Sequence, residues 1–214
     1  LCDGDRDFLP GDQVLLAAPP SQTTSAGKIW VFDHWDLGNG TTGGQNTVWT
    51  VPDQWRMFLL TAHFVAGVRT GFMTVPAGLK LKIDGRDNWP SMIFEWGLGH
   101  KHSVEAPAEQ LDARGRRYRF TGWSNGGPAA QEITVAEGAD TPNAFVMKAT
   151  YELMGQLNLT SDPAQIPATV SGLDCKTPCT VDLPMGTQVA VSVAPELALS
   201  PDTKVVFAGW ADGS

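Results

Sequence analysis

The chain of 214 residues lacks a long hydrophobic segment and an excess of basic charge. No apolar run approaches the roughly 18 residues that a membrane-spanning helix needs, so we expect no membrane insertion. Its 23 acidic residues outnumber the 15 basic ones, which gives a net charge of −8. Nucleic acids and anionic membrane surfaces select basic patches, so this balance argues against both as partners.

Long helical patterns are missing as well. The composition instead has eight Trp, 23 Gly and 15 Pro, which together are typical of a β-rich extracellular protein. The chain opens on Leu1 without a Met or a leader, which suggests an excised fragment or a processed segment.

Cysteine is scarce, with three residues in the chain. Cys175 and Cys179 lie four positions apart in a turn-like stretch, and none of the four histidines is near them in sequence. A disulfide across a hairpin therefore explains them better than a metal site, and it implies an oxidising compartment. Cys2 occupies the comparable turn of an earlier repeat, and we expect it to be unpaired.

One aromatic motif occurs three times. It is centred on Trp35, Trp123 and Trp210, which are separated by 88 and 87 positions. So constant a period predicts repeated structural units. In each copy a Phe precedes the Trp by three residues, a spacing that suggests a β-bulge holding both rings near one core. We expect the three indoles to be buried equivalently as core anchors; a solvent-facing Trp that grips a sugar ring is the alternative.

The period divides the chain into three repeats, 1–66, 67–154 and 155–214, of which the second is complete. Short apolar runs separated by turn residues at intervals of about 8–12 residues predict an all-β fold of tandem small sandwiches, Ig-like in character. Only Gln110 to Arg114 suggests a helical turn. The boundaries, near Ala66-Gly67 and Met154-Gly155, leave linkers too short to act as flexible spacers.

The first repeat is N-terminally truncated and the third is C-terminally truncated in this division. A sandwich without its edge strands exposes unpaired backbone and an apolar face. Either the two end repeats borrow strands from a neighbouring module or another molecule, or the boundaries differ from these. The first case predicts strand exchange or an oligomer formed through the end repeats.

The run Tyr118 to Gly126, followed by the strand Phe145 to Tyr151, resembles the divergent internalin-type B-repeat family, whose core is Phe-x-Gly-Trp. The opening half of the second repeat, Val75 to Gly85, is similar to surface-layer modules named for a Pro-Glu-Gly-Ala motif. The resemblance implies an all-β or β-grasp-like fold in a bacterial secreted or surface protein, acting as a spacer or interaction module. It supplies no catalytic motif, cofactor or metal ligand. In the first copy Asp33-His34 replaces the Gly-containing pair of the others.

Two clusters of polar residues share features with metal sites. The segment Asp3 to Asp7 carries carboxylates at alternate positions, as calcium loops do, but lacks the Gly and Glu that such loops require further on. A solvated turn is the simpler interpretation. His100 and His102 would share one face of a strand, where they are expected to form a polar surface rather than a metal site.

Two further groups could carry chemistry. Asp33-His34-Trp35-Asp36 offers an acid, a base and an aromatic ring, but a triad needs a nucleophile, and adjacent positions on one strand do not align three groups. Only the first copy has these residues, so we interpret the cluster as incidental. The basic run Arg114 to Arg119 could grip a carboxylate or phosphate polymer. A solvated strand edge that blocks association is the simpler interpretation.

The sequence therefore favours a non-enzymatic tandem β-repeat segment of a bacterial secreted or surface protein, acting as a spacer, adhesion or protein-interaction module. We predict no catalytic, cofactor or metal site residues. The protein or glycan partner is not specified by the sequence. The alternative is a carbohydrate-binding module that accompanies a larger secreted enzyme. A third interpretation is a hydrolase that uses Asp33, His34 or the acidic loops. For the carbohydrate-binding module, the candidate stacking residues outside the repeated motif are Trp30, Trp49, Trp55, Trp89 and Trp96.

Overall fold

The computed structural model describes residues 7–54, 57–88, 92–136 and 145–211. Within these ranges the fold is all-β, as the sequence predicts. The same ranges contain no helix that could cross a membrane.

Twenty strands are described, numbered in chain order. The first ten are β1 (Gln13–Ala17), β2 (Ser21–Thr23), β3 (Ile29–Asp36), β4 (Thr42–Gly43), β5 (Asn46–Thr50), β6 (Thr61–Val75), β7 (Leu81–Ile83), β8 (Arg86–Asn88), β9 (Met92–Gly97) and β10 (Lys101–Glu105). The others are β11 (Glu109–Leu111), β12 (Arg117–Trp123), β13 (Ala130–Thr134), β14 (Phe145–Leu159), β15 (Pro167–Val170), β16 (Leu173–Lys176), β17 (Cys179–Pro184), β18 (Val191–Val193), β19 (Glu196–Ser200) and β20 (Thr203–Val206).

The chain forms two compact units. Unit 1 comprises residues 1–108 and 122–150, and unit 2 comprises residues 109–121 and 151–214. The limits of these units do not coincide with the three predicted repeats, because the predicted boundary at Ala66-Gly67 lies inside unit 1 and the one at Met154-Gly155 lies inside unit 2. The division into three repeats concerns the sequence period and stays a prediction.

Both predicted boundaries fall within strands of 15 residues. On β6, Ala66 pairs with Trp30 of β3 and the next residue, Gly67, pairs with Gly97 of β9. On β14, Gly155 pairs with Leu183 of β17. Neither strand contains a proline, and β6 is rich in Val, Thr and Phe, which favour extended backbone. Extended strand, rather than a flexible linker, therefore occupies both boundaries.

The residues of unit 1 that the structure describes form three sheets. β1 and β5 form a two-stranded antiparallel sheet, and β13-β10-β7-β8 form a four-stranded one. In the third sheet, β6 pairs antiparallel with β3 and β9 and parallel with β14 through residues 70–75. β2 and β4 extend this sheet beside β3.

The core of unit 1 is built from apolar side chains of these sheets. Leu79, Leu81 and Met147 are each 1% exposed, and Ala149 is fully buried. The ring of Phe72 on β6 packs against Trp96 at 5.5 Å and against Trp123 at 6.4 Å between centroids. Strands β6, β7, β9, β12 and β14 therefore contribute to one apolar interior.

The described residues of unit 2 form four sets of paired strands. Residues 154–159 of β14 pair antiparallel with β17, and β16-β15-β18 form a three-stranded sheet. β19 and β20 form a two-stranded sheet with an irregularity between Ala198 and Ser200. The chain also pairs β11 with the first residues of β12.

Several ladders in the structure recur 87 positions further along the chain with the same pairing register. Each such ladder consists of antiparallel strands, and both members of every pair shift by the same number. The recurrent pairs are Gly67↔Gly97 and Met154↔Pro184, Ile83↔Val104 and Val170↔Val191, and Leu111↔Arg117 and Ala198↔Lys204.

The structure corrects the suggested helical turn at Gln110 to Arg114. Residues 109–111 form β11, which pairs with β12 in a hairpin. The carboxylate of Asp112 accepts hydrogen bonds from the backbone N–H groups of Arg114 and Arg116, each at 2.9 Å. A short acidic side chain that satisfies backbone donors in this way stabilises a turn and competes with helix.

The three motif tryptophans are less alike than the sequence predicts. Trp123 is 5% exposed and its Nε1 donates to the Ala129 carbonyl at 3.1 Å, whereas Trp35 and Trp210 are half-buried. The prediction of equivalent burial is therefore wrong. Trp35 and Trp210 do each pack against the Phe three residues earlier. The adjacent Ser124 is hydrogen-bonded to Lys148 of β14, so Trp123 lies beside a strand that covers it.

Gly67 tests the continuity of β6. A Cβ at this position would lie 2.5 Å from Cγ2 of Ile29 and 2.8 Å from Cγ2 of Val31 on β3. We expect Gly67→Ala to lower the free energy of unfolding by about 1–3 kcal/mol, because these branched side chains must move. Urea denaturation measures the change.

Gly122→Ala is the matched control, since a Cβ there has no neighbouring atom within 4 Å. It also lies in a strand, and His34 stands at the corresponding position of the first copy. Equal stability of the two variants would show that β3 does not pack closely on β6 at Gly67.

Candidate functional site

A cluster of titratable side chains in the described residues lies at an irregularity of β3. The ladder between β3 and β6 shifts its register between Phe32 and His34, so Asp33 is the extra residue of a β-bulge. The bulge that the Phe-to-Trp spacing predicts is therefore confirmed in the first copy. It also changes the direction of the side chains that follow it on β3.

Asp33 links two histidines. Its Oδ2 accepts a hydrogen bond from Nδ1 of His34 at 2.6 Å, and its Oδ1 accepts one from Nε2 of His100 at 2.8 Å. The hydrogen bond from His34 lowers the pKa of Asp33; burial opposes it, and the bond from His100 lowers the pKa further. The hydrogen bonds to both carboxylate oxygens thus stabilise the charged form of Asp33.

A third histidine completes this cluster, which we call the Asp33 cluster (Asp33, His34, His63 and His100). The ring of His63 on β6 stacks on that of His34, with centroids 4.6 Å apart and planes 12° from parallel. His100 comes from the turn that precedes β10. The sequence indicates an incidental role for Asp33 and His34, because only the first copy has them, and it gives no sign of His63, which lies 29 positions after His34. The bulge was the one available signal.

The hydrogen bonds of Asp33 cross-link two elements of the fold. Each oxygen of Asp33 is taken by one imidazole, so the carboxylate ties β3 to the turn before β10. In the part of the chain that the structure describes, no group of three or more His, Cys, Asp or Glu side chains is arranged to hold a metal ion. Asp36 accepts a hydrogen bond from the backbone of Gly38 and stabilises the following turn.

His100 and His102 do not form the shared polar face that the sequence suggests. His100 turns to Asp33, whereas the ring of His102 stacks on Trp96 at 3.7 Å between centroids. Nδ1 of His102 also contacts the carboxylate of Asp84 at 2.8 Å. With 16% of its side chain exposed, His102 is largely buried, because the flat indole of Trp96 covers it.

The three described candidates for sugar-binding tryptophans each pack against another side chain of the protein. Trp96 is 7% exposed, so it does not offer a face to a ligand. Trp30 is half-buried and has the ammonium of Lys28 at 4.4 Å from its ring centroid. Trp49 packs against Phe58 at 5.2 Å between centroids. Trp55 and Trp89 lie outside the described residues.

The basic run of unit 2 is engaged with carboxylates. Arg116 pairs with Asp112 at 2.7 Å and Arg119 with Glu152 at 2.6 Å, and Arg117 pairs with Asp182. The hydrogen bond from Arg117 lowers the pKa of Asp182, and one from Gln156 adds to the effect. Three of the four arginines therefore join strands within unit 2, which weakens the hypothesis that the run grips a polyanion.

Of the remaining sequence candidates, the cysteine pair is the one that the structure places. Cys175 at β16 and Cys179 at β17 form a disulfide, as predicted. Cys2, Asp3 and Asp5 lie outside the described residues, so the unpaired cysteine and the calcium hypothesis stay predictions. The rest of that acidic segment within the described residues is Asp7, which is exposed.

No family model, no curated protein and no solved structure matches this chain.

The Asp33 cluster generates a pH-dependent prediction. The pKa of Asp33 is lowered in the folded protein, so its contribution to stability is present above its unfolded pKa, near 4, and is lost as pH falls through the folded value. We expect Asp33→Asn to reduce the free energy of unfolding by about 0.5–1 kcal/mol at neutral pH, because the carboxylate is one-third exposed. Urea titrations from neutral pH to about pH 3 measure this.

Asp87→Asn, an exposed position on β8, is the control and should leave stability unchanged over the same range. The difference between wild type and Asp33→Asn should shrink as the pH falls below about 4. A difference that stays constant down to the lowest pH would contradict the assigned role of the carboxylate charge.

Proposed function

We propose that this chain is a non-enzymatic tandem β-repeat segment of a bacterial secreted or cell-surface protein, serving as a spacer and a protein-interaction module. The observation that carries the proposal is the recurrence of whole ladders at a shift of 87 positions, the interval between Trp123 and Trp210. Both residues of a pair shift by the sequence period, as from Gly67↔Gly97 to Met154↔Pro184.

The continuous strands at the predicted boundaries support a spacer function. Where β6 passes from Ala66 to Gly67, it changes its antiparallel partner from β3 to β9 without a break in the strand. A repeat array joined by hydrogen-bonded strand lacks the compliant segment that a Gly- or Ser-rich linker would provide. We propose that consecutive repeats transmit tension through β6 and β14.

The engagement of the charged side chains supports a role without catalysis. The acids and bases that the sequence singles out form pairs that hold strands or turns together, such as Asp33 with His100 and Arg119 with Glu152. The disulfide between Cys175 and Cys179 supports an oxidising, extracellular location. Membership of the internalin-type B-repeat family and an Ig-like sandwich for each repeat are parts of the same proposal.

The alternative, a carbohydrate-binding module, requires indole faces open to a sugar ring. Trp96 is buried against His102, and Lys28 lies over the ring of Trp30. The described tryptophans outside the motif thus give this alternative less support than the ladders give to the spacer. Quenching of Trp fluorescence by members of a glycan panel would favour it.

Stretching the chain between its termini in optical tweezers tests the spacer proposal. We expect wild type to resist extension until a unit unfolds cooperatively, because strand occupies both predicted boundaries. A Gly-Ser-Gly-Ser insertion between Ala66 and Gly67 should introduce a compliant extension at low force, since it interrupts β6.

The control carries the same insertion between Asn39 and Gly40, two turn residues with positive φ between β3 and β4. It should behave as wild type does. The proposal is wrong if wild type already extends gradually like an unfolded chain, or if the two insertions have the same effect.

A further inference from the structure

An apolar groove opens in unit 2 beside the end of β14 and the β19–β20 sheet. Its volume is about 440 Å³. Leu159, which ends β14, is half-buried, as are Val205 on β20 and Trp210 of the repeated motif. Phe207 is 41% exposed. We call this groove the β14–β20 groove. Its main apolar lining residues are Leu159, Ile166, Val193, Leu197, Val205 and Trp210.

The residues 87 positions earlier have the same character but are buried. Phe72, Leu79 and Trp123 correspond to Leu159, Ile166 and Trp210, and they are 3%, 1% and 5% exposed. In unit 1 these side chains are covered by residues 145–150 of β14, which pair parallel with β6 over Thr70–Val75. Met147, opposite Phe72, is 1% exposed, and Ala149, opposite Thr74, is fully buried.

Within the described ranges, each of the two strand segments that flank the β14–β20 groove is hydrogen-bonded to another strand along one edge only. Among the described residues, Leu157 to Leu159 form a ladder with β17 alone, and β20 belongs to a two-stranded sheet with β19. The strands 87 positions earlier have two neighbours each: β6 pairs with β9 and β14, and β12 pairs with β11 and β14. Two rows of backbone donors and acceptors thus flank one apolar groove.

We propose that the β14–β20 groove is an acceptor site for an extended polypeptide strand with the pattern of residues 145–151, a Met, an Ala and a Tyr at alternate positions. This inference rests on the tandem-repeat proposal and assigns its interaction site. The strand runs parallel to β14, with its Met beside Leu159 and its Ala beside Ser161, as Met147 lies beside Phe72 and Ala149 beside Thr74 in unit 1.

The chemistry of the groove requires a polypeptide as the occupant. Unpaired strand edges are satisfied by backbone N–H and C=O groups in a regular row, which an added β-strand supplies. The apolar lining selects side chains at alternate positions on one face of that strand. A small residue is needed at the centre, since Ala149 has no exposed surface at the corresponding point of unit 1.

The test uses the full chain and a synthetic peptide with the sequence of residues 145–151, extended by two serines at each end for solubility. Amide hydrogen exchange is measured with and without the peptide. At a peptide concentration tenfold above the dissociation constant, we expect exchange at residues 157–159 and 203–206 to slow about tenfold. Exchange in β7 and β10, which belong to unit 1, serves as the internal reference and should not change.

Two control peptides test the specificity of the groove. The first has glutamate in place of the alanine that corresponds to Ala149, and it should not bind, because a charge would enter the apolar lining. The second has the reversed sequence, with the same composition, and should bind more weakly since its register cannot follow the parallel ladder. Equal protection by either control peptide would overturn the proposal.

A tethered version covers the case of weak binding. The same peptide sequence is joined to the C-terminus of the chain by a flexible Gly-Ser linker, which raises its effective concentration. Protection of residues 157–159 and 203–206 by the tethered wild-type sequence, but not by the glutamate version, supports the site. No protection by either the free or the tethered peptide overturns it, as does a peptide-independent dimer that covers the groove.

These outcomes are distinct from those of the stretching experiment. A compliant wild-type chain would contradict the spacer proposal without affecting exchange in the β14–β20 groove. A groove that accepts no strand would leave the continuity of β6 and β14 intact and would remove the interaction site alone.

Discussion

The structure depends on one strand, β14, which pairs with β6 on one edge and with β12 on the other and buries apolar side chains in the interior of unit 1. In unit 1, β6 lies between other strands and carries Phe72 into an aromatic cluster with Trp96 and Trp123. The first half of β14 pairs with β6 and buries Met147 and Ala149 against that interior. Burial of apolar area and pairing of backbone groups are thus achieved by the same strand.

This constraint connects the fold with the proposed function. Because β6 and β14 each span a predicted repeat boundary, a residue near the boundary can pair with a strand on one side of it and pack against a strand on the other. Gly67 is an example, since its lack of a side chain allows the close approach of Ile29 and Val31. The same constraint explains why Trp123 is buried and Trp210 is half-exposed beside a groove.

The sequence predicted those features that depend on local pattern. Alternating apolar residues and turn signals gave the all-β class, the spacing of Phe32 and Trp35 gave the bulge on β3, and a four-residue separation gave the Cys175–Cys179 disulfide. It could not predict contacts between distant strands. Asp33 meets His100 across 67 positions, and the burial of His102 by Trp96 depends on how β9 and β10 pack. The prediction of a helical turn near Asp112 is wrong because the hydrogen bonds from backbone N–H groups to its carboxylate leave no signal in the hydrophobic periodicity.

Amide hydrogen exchange across the predicted boundaries tests the central claim most directly, namely that strand runs through them without interruption. In the wild-type chain, the hydrogen-bonded amides from Val65 to Val68 and from Leu153 to Gln156 should exchange as slowly as those in the middle of β6 and β14. Exchange at these residues as fast as in the exposed turn at Asn39 and Gly40 would contradict the account, because it would place a flexible linker where continuous strand is required.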